Sequence, residues 1–228
     1  VVYSPERGDT VVTNRNENIQ LYSGYSQFNA MQKFRYKISD STELRYGLHW
    51  STTSNTPRYD RLVLRNNKDQ LTNGDWFYGP QKWLMNNLSF IHKKQTKLSD
   101  VLQVTLAHQL FEESRNDRKL YAKNLRVRTE NLAATSLNID IKKFLSSRWE
   151  LSYGAEVINN TVHSKGEKMD IITGSFTPTS TRYPDGSTWN SEGIYFNLLK
   201  KWNTKQATEG GLRYNSVQTK GTFDTTFI

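Results

Sequence analysis

The sequence contains no cysteine, few prolines and no long hydrophobic run. The lack of cysteine excludes a disulfide framework and a thiolate metal site. No apolar stretch approaches the roughly 18 residues of a transmembrane helix, which excludes helical membrane spans. The first residues, VVYSPERGDT, match neither a signal peptide nor a transit peptide.

Aliphatic residues are also scarce: hydrophobic residues make up 35% of the chain, and aromatic residues alone reach 12%. The chain is long enough to fold, but it has little material for a dry interior. The net charge of +9 is spread over many segments, and no recognition-helix pattern accompanies it. We therefore expect no nucleic-acid partner, and a basic soluble β-protein is the weakest interpretation.

The main pattern in the sequence is an alternation of apolar and polar residues. In NLRVRTENLAATSLNIDIK (residues 124–142), apolar residues fall mainly on odd positions, and the even positions carry Arg126, Arg128 and Glu130. Period-two alternation predicts a strand with one apolar and one polar face. This stretch is about three times as long as a typical strand of about 5–6 residues.

Period two recurs along most of the chain. Residues 25–38 and 43–53 alternate on either side of the polar turn SDST and predict a hairpin. Further strands are predicted near residues 81–93, 102–110, 149–157, 194–198 and 212–214. Short turns such as KKQTKLSD, FLSSR and NTKQ alternate with longer polar connections. We predict long loops near 54–80 and 163–189, and a charged loop at EESRNDRKLY (112–121).

Together these features predict an all-β fold: an antiparallel transmembrane β-barrel, with about eight strands in this chain. Outer-membrane barrels sort short turns to one end and long loops to the other. Four aromatic residues lie beside the short turns, where an interfacial belt is expected: Tyr36, Phe144, Trp149 and Trp202. In lipid every backbone polar group must be paired, so spanning strands close into a ring. The apolar face then meets lipid and the polar face meets a wet interior.

Several phrases resemble the barrel of TonB-dependent outer-membrane receptors, especially those of Bacteroidetes that import iron complexes or haem. They are TTSNTPRYDRL, YGPQKWL, ESRNDR, LSYGAEV, RYPDGS and GGLRYN. The resemblance covers nearly the whole chain, and it implies a 22-stranded barrel in the bacterial outer membrane. It also implies an N-terminal plug domain and a TonB-contacting segment, neither of which is present here. We therefore expect the chain (residues 1–228) to be a central barrel segment.

The resemblance further implies active transport of a nutrient such as a ferric siderophore or haem, captured by extracellular loops. Expected partners are the outer-membrane bilayer, the TonB complex, the plug domain and a surface lipoprotein. No covalently bound cofactor, no metal site and no enzymatic activity are expected, because no nucleophile, base and acid converge in the sequence.

Candidate ligand-binding residues lie in the predicted loops, where binding residues concentrate. Arginine and tyrosine there suit an anionic or aromatic ligand. They are Arg58, Tyr59, Asp60, Arg115, His163, Arg182 and Tyr183. In RYPDGS the residues YPDG also make a good turn, whether or not they touch a ligand. If the ligand is haem, His163 or His49 could coordinate iron, although a structural role is the more usual one for an isolated histidine.

Five charged residues are predicted to face the lumen. They are Arg126, Arg128, Glu130, Glu150 and Glu156, and we expect them to pair across strands and with the plug. The alternative to a receptor segment is a small complete eight-stranded barrel, acting as an adhesin or an outer-membrane enzyme. Such a barrel would have to pair VVY at the start with TFDTTFI at the end.

Overall fold

The computed structural model describes residues 1–16 and 18–224, and strands dominate this part of the chain. In chain order the elements are β1 (Val2–Ser4), β2 (Gly8–Thr10), β3 (Gln27–Ser39), β4 (Thr42–Thr53), β5 (Thr56–Pro57), α1 (Tyr59–Leu62), β6 (Asn73–Tyr78), β7 (Lys82–His92), β8 (Val101–Lys119), β9 (Asn124–Phe144), β10 (Trp149–Asp170), β11 (Phe176–Pro178), β12 (Ser187–Lys201) and β13 (Ala207–Lys220).

Eight long strands form one antiparallel sheet whose spatial order follows the chain, from β3 through β4, β7, β8, β9, β10 and β12 to β13. Each long strand therefore pairs with the next long strand in the sequence, as in an up-and-down barrel wall. The predicted all-β, antiparallel fold with about eight strands is confirmed. In the described residues, β3 and β13 each have a partner on one side only.

One face of the sheet is apolar and open. Six side chains lie directly opposite one another across six strands, in the order Phe34, Tyr46, Leu88, Leu106, Leu137 and Val157. Five of them, all except Tyr46, are between 40% and 59% exposed. A contiguous apolar surface of this extent is rare on a soluble protein and marks a face that another apolar phase covers.

This apolar band occupies only part of each strand. On β9 it runs from Ala133 to Ile141, and on β10 from Leu151 to Val157. Nine residues are close to the roughly 9–11 that a tilted strand needs to cross a bilayer. Above the band, towards residue 124 of β9, the same face turns polar at Asn131 and Thr129.

The opposite face is mainly polar, and between the two faces there is almost no dry core. Among the described residues, the buried hydrophobic side chains are Trp76, Ile91, Ala107 and Leu125. A sandwich of this length would bury two apolar faces against each other. The scarcity of aliphatic residues is therefore matched by a fold that is a single layer.

The predicted charged loop EESRNDRKLY is not a loop. β8 continues through it to Lys119, and only residues 120–123 connect β8 to β9. Its charged residues directly face those of β9: Glu113 opposite Glu130, Arg115 opposite Arg128 and Asp117 opposite Arg126. The charged side chains form ion pairs across the strands, and the backbone groups of this segment pair with β6 and β9. The charges are therefore compatible with a sheet.

The two predicted long loops are more ordered than their composition indicates. Residues 54–80 contain β5, α1 and β6, and β6 pairs with the upper part of β8. β10 extends to Asp170 and β12 begins at Ser187, so the second loop covers residues 171–186. Within it, β11 pairs back onto β10. His163 and its neighbours are therefore strand residues, held by the long pairing of β10 with β9.

The first residues form a separate hairpin, in which β1 pairs with β2. Closure of a small barrel would need VVY to pair with TFDTTFI, of which residues 225–228 lie outside the described residues. Within the described part, no helix has the length and apolar character needed to cross a membrane.

Candidate ligand-binding site

The charged residues of the polar face concentrate where β6, β8 and β9 lie side by side above the apolar band. β6 consists of NGDWFY, whose alternation places Trp76 and Tyr78 on the polar face. There Trp76 lies directly opposite Asp117, and Tyr78 opposite Arg115. The register of β6 on β8 thus brings aromatic rings to a row of charges.

Trp76 is the centre of this site. Only 6% of its surface is exposed, because three guanidinium groups lie around its ring. The distances from guanidinium carbon to ring centroid are 4.7 Å for Arg115, 5.2 Å for Arg58 and 5.9 Å for Arg61. Cation–π attraction to indole stabilises each of these arginines in a fixed position.

Arg58 and Arg61 share one acid. Arg58 donates two hydrogen bonds of 2.7 Å to Asp60, and Arg61 lies 3.5 Å from the same carboxylate. Arg58 also donates to the Tyr78 hydroxyl at 3.3 Å. The hydrogen bonds from Arg58 lower the pKa of the Asp60 carboxyl, so this acid stays ionised.

Arg126 and Arg128 likewise share Asp117. Arg126 donates two hydrogen bonds to this carboxylate, at 3.2 and 2.7 Å, and Arg128 donates one at 3.1 Å. Burial lowers the pKa of Arg128, and its neighbour Arg126 lowers it further. Arg128 therefore lies in a locally positive environment. The term "arginine cluster" denotes Arg58, Arg61, Arg115, Arg126 and Arg128 with Asp60, Asp117 and Trp76.

The balance of charge in the arginine cluster is positive. Five arginines are accompanied by two aspartates, and the adjacent Glu113, Glu130 and Arg182 together add one negative charge, so the balance is two positive charges. Buried Nε atoms of Arg115 and Arg128 have no hydrogen-bond partner among the described residues. The cluster therefore has spare donors and spare charge on the polar face.

Directly below the cluster, two carboxylates lie side by side. Glu113 and Glu130 are directly opposite each other, and Arg182 from the loop between β11 and β12 reaches both. Its Nη1 is 3.0 Å from Glu113 and 3.8 Å from Glu130. Burial raises the pKa of Glu130, and the adjacent Glu113 adds to the rise. Arg182 holds the loop onto the polar face by pairing with both carboxylates, and the three residues together keep one net negative charge.

The remaining loop candidates have distinct positions. The Tyr183 ring lies under Arg182 at 5.2 Å, and its backbone N–H donates to Ser164. Tyr59, in α1, is 41% exposed and lines a largely apolar cavity of about 680 Å³ beside Trp76.

His163 is not part of the cluster. Its neighbour Ser164 shares the polar face with Glu130, so strand alternation places His163 on the other face. Its Nδ1 lies 3.3 Å from Asp185. His49 is on the polar face lower down, with its ring 6.0 Å from that of Trp83. The two histidines considered for haem therefore do not lie with the arginines.

The lower charged residues of the polar face pair across strands. Glu150 forms an ion pair with Lys142 of β9, and Glu156 accepts hydrogen bonds from Asn138 and from Arg213. These residues lie at the depth of the apolar band or below it. Their partners come from β9, next to β10, and from β13, two strands away, which gives them a structural role in the sheet.

Sequence reasoning misses three members of the cluster: Arg61, Trp76 and Asp117. Asp117 lies in EESRNDRKLY, which its many charged residues caused to be predicted as a loop. Trp76 lies in a strand of only six residues. The run of aromatic residues in DWFY, which favours a strand, is the signal that could have found Trp76. Among the described residues, no group of three or more histidines or carboxylates is placed to hold a metal ion.

The fold defines a class, an antiparallel sheet of the kind that forms the wall of a β-barrel. The chain is similar to the structure of copper transporter OprC, with a TM-score of 0.64 and 11% identity. That match covers 86% of this chain and 29% of the other. The unliganded ferric citrate transporter FecA gives a TM-score of 0.54 at 12% identity, over 88% of this chain and 30% of that one. No protein-family model and no curated protein matches the chain. At these identities the likeness is one of fold.

Proposed function

We propose that the chain is a wall segment of a TonB-dependent outer-membrane receptor that imports a scarce nutrient, such as a ferric siderophore or haem. The continuous apolar row across six strands carries the proposal, because it gives one face of a single-layer sheet to lipid. The fold likeness to two transporters, each about three times as long as this chain, supports the same conclusion. The local resemblance to receptors of Bacteroidetes extends the proposal to iron complexes and haem.

In this proposal the apolar band lies in the bacterial outer membrane and the short turns face the periplasm. Lys200 lies 3.5 Å from the Trp202 ring and 4.7 Å from that of Trp149, at the rim where aromatic residues anchor barrels. The arginine cluster and the loop carrying Arg182 then lie at the extracellular end. A nutrient would meet these residues before it reaches the lumen.

The rest of the transport cycle needs partners outside this chain. A plug domain would close the barrel, and the TonB complex would supply the energy that displaces it. A surface lipoprotein would present the nutrient to the extracellular end. Ligand contacts are proposed for Arg58, Tyr59, Asp60, Arg115, Arg182 and Tyr183, and for His163 only if the ligand also covers the edge of β10.

Uptake by cells tests the proposal. Cells that carry or lack the full-length protein would be given radiolabelled iron as a carboxylate chelate, as a hydroxamate chelate and as haem. We expect uptake of at least one form to require the protein and to stop when the TonB complex is inactivated. Equal uptake of all three forms with and without the protein would contradict the proposed function.

A further inference from the structure

We propose that the arginine cluster is a subsite for a polyanionic chelate that presents two or more carboxylates, with Arg115 and Arg128 as the residues that grip it. This inference rests on the proposed function, because it names the chemical class of the nutrient. Such a subsite would bind carboxylate-rich metal chelates in preference to neutral and cationic chelates.

Arg115 has unused hydrogen-bonding capacity. A guanidinium carries five N–H donors and always remains charged. In the described residues the Arg115 side chain has Trp76 as its neighbour at 4.7 Å, with neither an ion pair nor a hydrogen bond, and its Nε is buried. A buried donor left without an acceptor is destabilising, so such groups in native proteins usually serve a ligand or an unseen partner.

Arg128 of β9 lies directly opposite Arg115 of β8, the neighbouring strand. Like charges in directly opposite positions destabilise a pair of strands. Asp117 relieves this only in part, because it is shared with Arg126 and leaves the Nε of Arg128 without a partner. An anion that contacts both guanidinium groups would remove the repulsion and supply the missing acceptors.

The geometry favours carboxylates over other anions of low charge. An arginine can donate two parallel hydrogen bonds to one carboxylate. Two arginines with free donors can therefore bind more than one carboxylate. The ring of Trp76 holds the planar guanidinium of Arg115 in place, so little side-chain entropy is lost on binding. The balance of two positive charges favours a ligand with two or more negative charges.

The row below the cluster limits the site. Glu113 and Glu130 are negative and are covered by Arg182, so an anionic ligand is repelled from that depth. The ligand would therefore lie above this row, against the guanidinium groups of Arg115 and Arg128. An alternative occupant is a carboxylate of another domain of the same protein, and the experiment below distinguishes it.

The test uses the full-length protein in detergent, with quenching of tryptophan fluorescence as the readout. The probes are ferric citrate, the ferric complexes of two other polycarboxylates, and the neutral iron–maltol complex as a matched uncharged chelate. We expect the wild-type protein to bind at least one polycarboxylate complex and to discriminate against the neutral one. Arg115→Gln and Arg128→Gln should each weaken polycarboxylate binding by roughly 10-fold to 100-fold.

Arg148→Gln is the matched control, because it removes the same charge at an exposed residue beside a short turn, at the other end of the sheet. It should leave binding unchanged. Arg115→Lys keeps the charge but loses the paired donors, so it should bind more weakly than wild type and more tightly than Arg115→Gln. Far-ultraviolet circular dichroism establishes that each variant is folded, and Arg128→Gln provides the test if Arg115→Gln does not fold.

Three results would overturn the inference: wild-type protein that binds none of the polycarboxylates, equal binding of neutral and anionic chelates, or unchanged binding by both glutamine variants. Loss of protease resistance in these variants without a change in binding would assign the arginines to a carboxylate of another domain, which also overturns it. The uptake assay separates this from the proposed function. Uptake that needs the protein but ignores Arg115 leaves the function standing and removes the inference.

Discussion

The Tyr195 hydroxyl donates a hydrogen bond of 2.6 Å to Asp140, although the two residues lie two strands apart. The ring reaches Asp140 by passing directly over Gly154 of the intervening strand. A β-carbon built on Gly154 would lie 2.7 Å from Cε1 of Tyr195 and 2.3 Å from the carbonyl oxygen of Ile139. The absence of a side chain at Gly154 is therefore what allows β12 to bond to β9 across β10.

Gly154→Ala should destabilise the sheet. The added methyl group must displace both a ring and a backbone carbonyl, and overpacking of this kind costs about 1–3 kcal/mol in the free energy of unfolding. Urea unfolding of the full-length protein in lipid vesicles measures the change. Gly210→Ala is the control, because nothing lies within 4 Å of its β-carbon position. Equal unfolding midpoints for the two variants would contradict the role of Gly154.

The apolar band predicts that substitutions of two neighbouring residues by arginine will destabilise the protein to very different extents. Leu137 lies on the apolar face at 40% exposure, and Ser136 lies next to it on the polar face. Leu137→Arg should cost about 2–4 kcal/mol if the face meets lipid near the bilayer centre, whereas Ser136→Arg meets a wet interior. The yield of folded protein in the outer membrane and urea unfolding in vesicles both report the difference. A similar loss in both variants would contradict the assignment of the two faces.

Much of this fold can be predicted from local pattern. The β3–β4 hairpin and the long β9 strand follow from period-two alternation, because the spacing of Phe34 and Leu137 with their neighbours fixes which face each side chain takes. The pairing of β3 with β4, of β7 with β8, of β9 with β10 and of β12 with β13 follows from the short turns between them. These are properties of contiguous sequence, so a single chain reveals them.

The site could be predicted only in part, because it depends on register between distant segments. Arg58, Arg115 and Arg128 are recognisable as charged residues, but the meeting of Arg58 and Arg115 around Trp76 requires β6 to pair with β8, some 40 residues later. The high density of charged residues also made the predicted end of β8 too early, because the strand continues to Lys119. In water a run such as EESRNDR would favour a loop, but across a sheet its charges find partners on β9.

The N-terminal hairpin depends on one buried ion pair. Arg118 and Asp9 lie 2.7 Å apart, with side-chain exposures of 2% and 1%. Asp9→Asn should release β1 and β2 from the sheet, because breaking a buried pair costs about 3 kcal/mol or more. Arg118 keeps its second partner, Asp75, which places the loss at the lower end of this scale. Amide hydrogen exchange of residues 1–10 should accelerate by about 100-fold.

The matched control for this hairpin is Asp69→Asn. Asp69 pairs with Arg65 at 3.4 Å, but its side chain is 87% exposed, and exposed pairs contribute only about 0–1 kcal/mol. Its exchange profile should stay close to wild type. Unchanged exchange in Asp9→Asn would show that the hairpin is held by other contacts.

The same ion pair sets a pH dependence. Burial alone raises the pKa of the Asp9 carboxyl, but hydrogen bonds from Arg118 and from the Tyr121 N–H outweigh it, so the pKa lies below its ordinary value. A carboxyl with a lowered pKa stabilises the folded state above its unfolded value, and that stability is lost as the pH falls through the folded value. The protection factors of residues 1–10, which correct the exchange rates for their intrinsic pH dependence, should therefore be steady from about pH 7 to about pH 4 and fall below that. Asp9→Asn should lack this acid step, and an identical step in the variant would assign it to another group.

The loop between β11 and β12 should depend on Arg182. With Arg182→Gln, Glu113 and Glu130 face each other without a counter-charge, so the loop loses its ion pairs and the two carboxylates repel. A partly buried, charged hydrogen bond contributes about 1.5–3 kcal/mol, so amide exchange in residues 179–186 should accelerate by roughly 10-fold to 100-fold. Lys165→Gln is the control, because Lys165 pairs with Glu167 while its side chain is 70% exposed. If Arg182→Gln exchanges no faster than this control, then Asp185, which accepts a 2.9 Å hydrogen bond from the Ser164 N–H, holds the loop by itself.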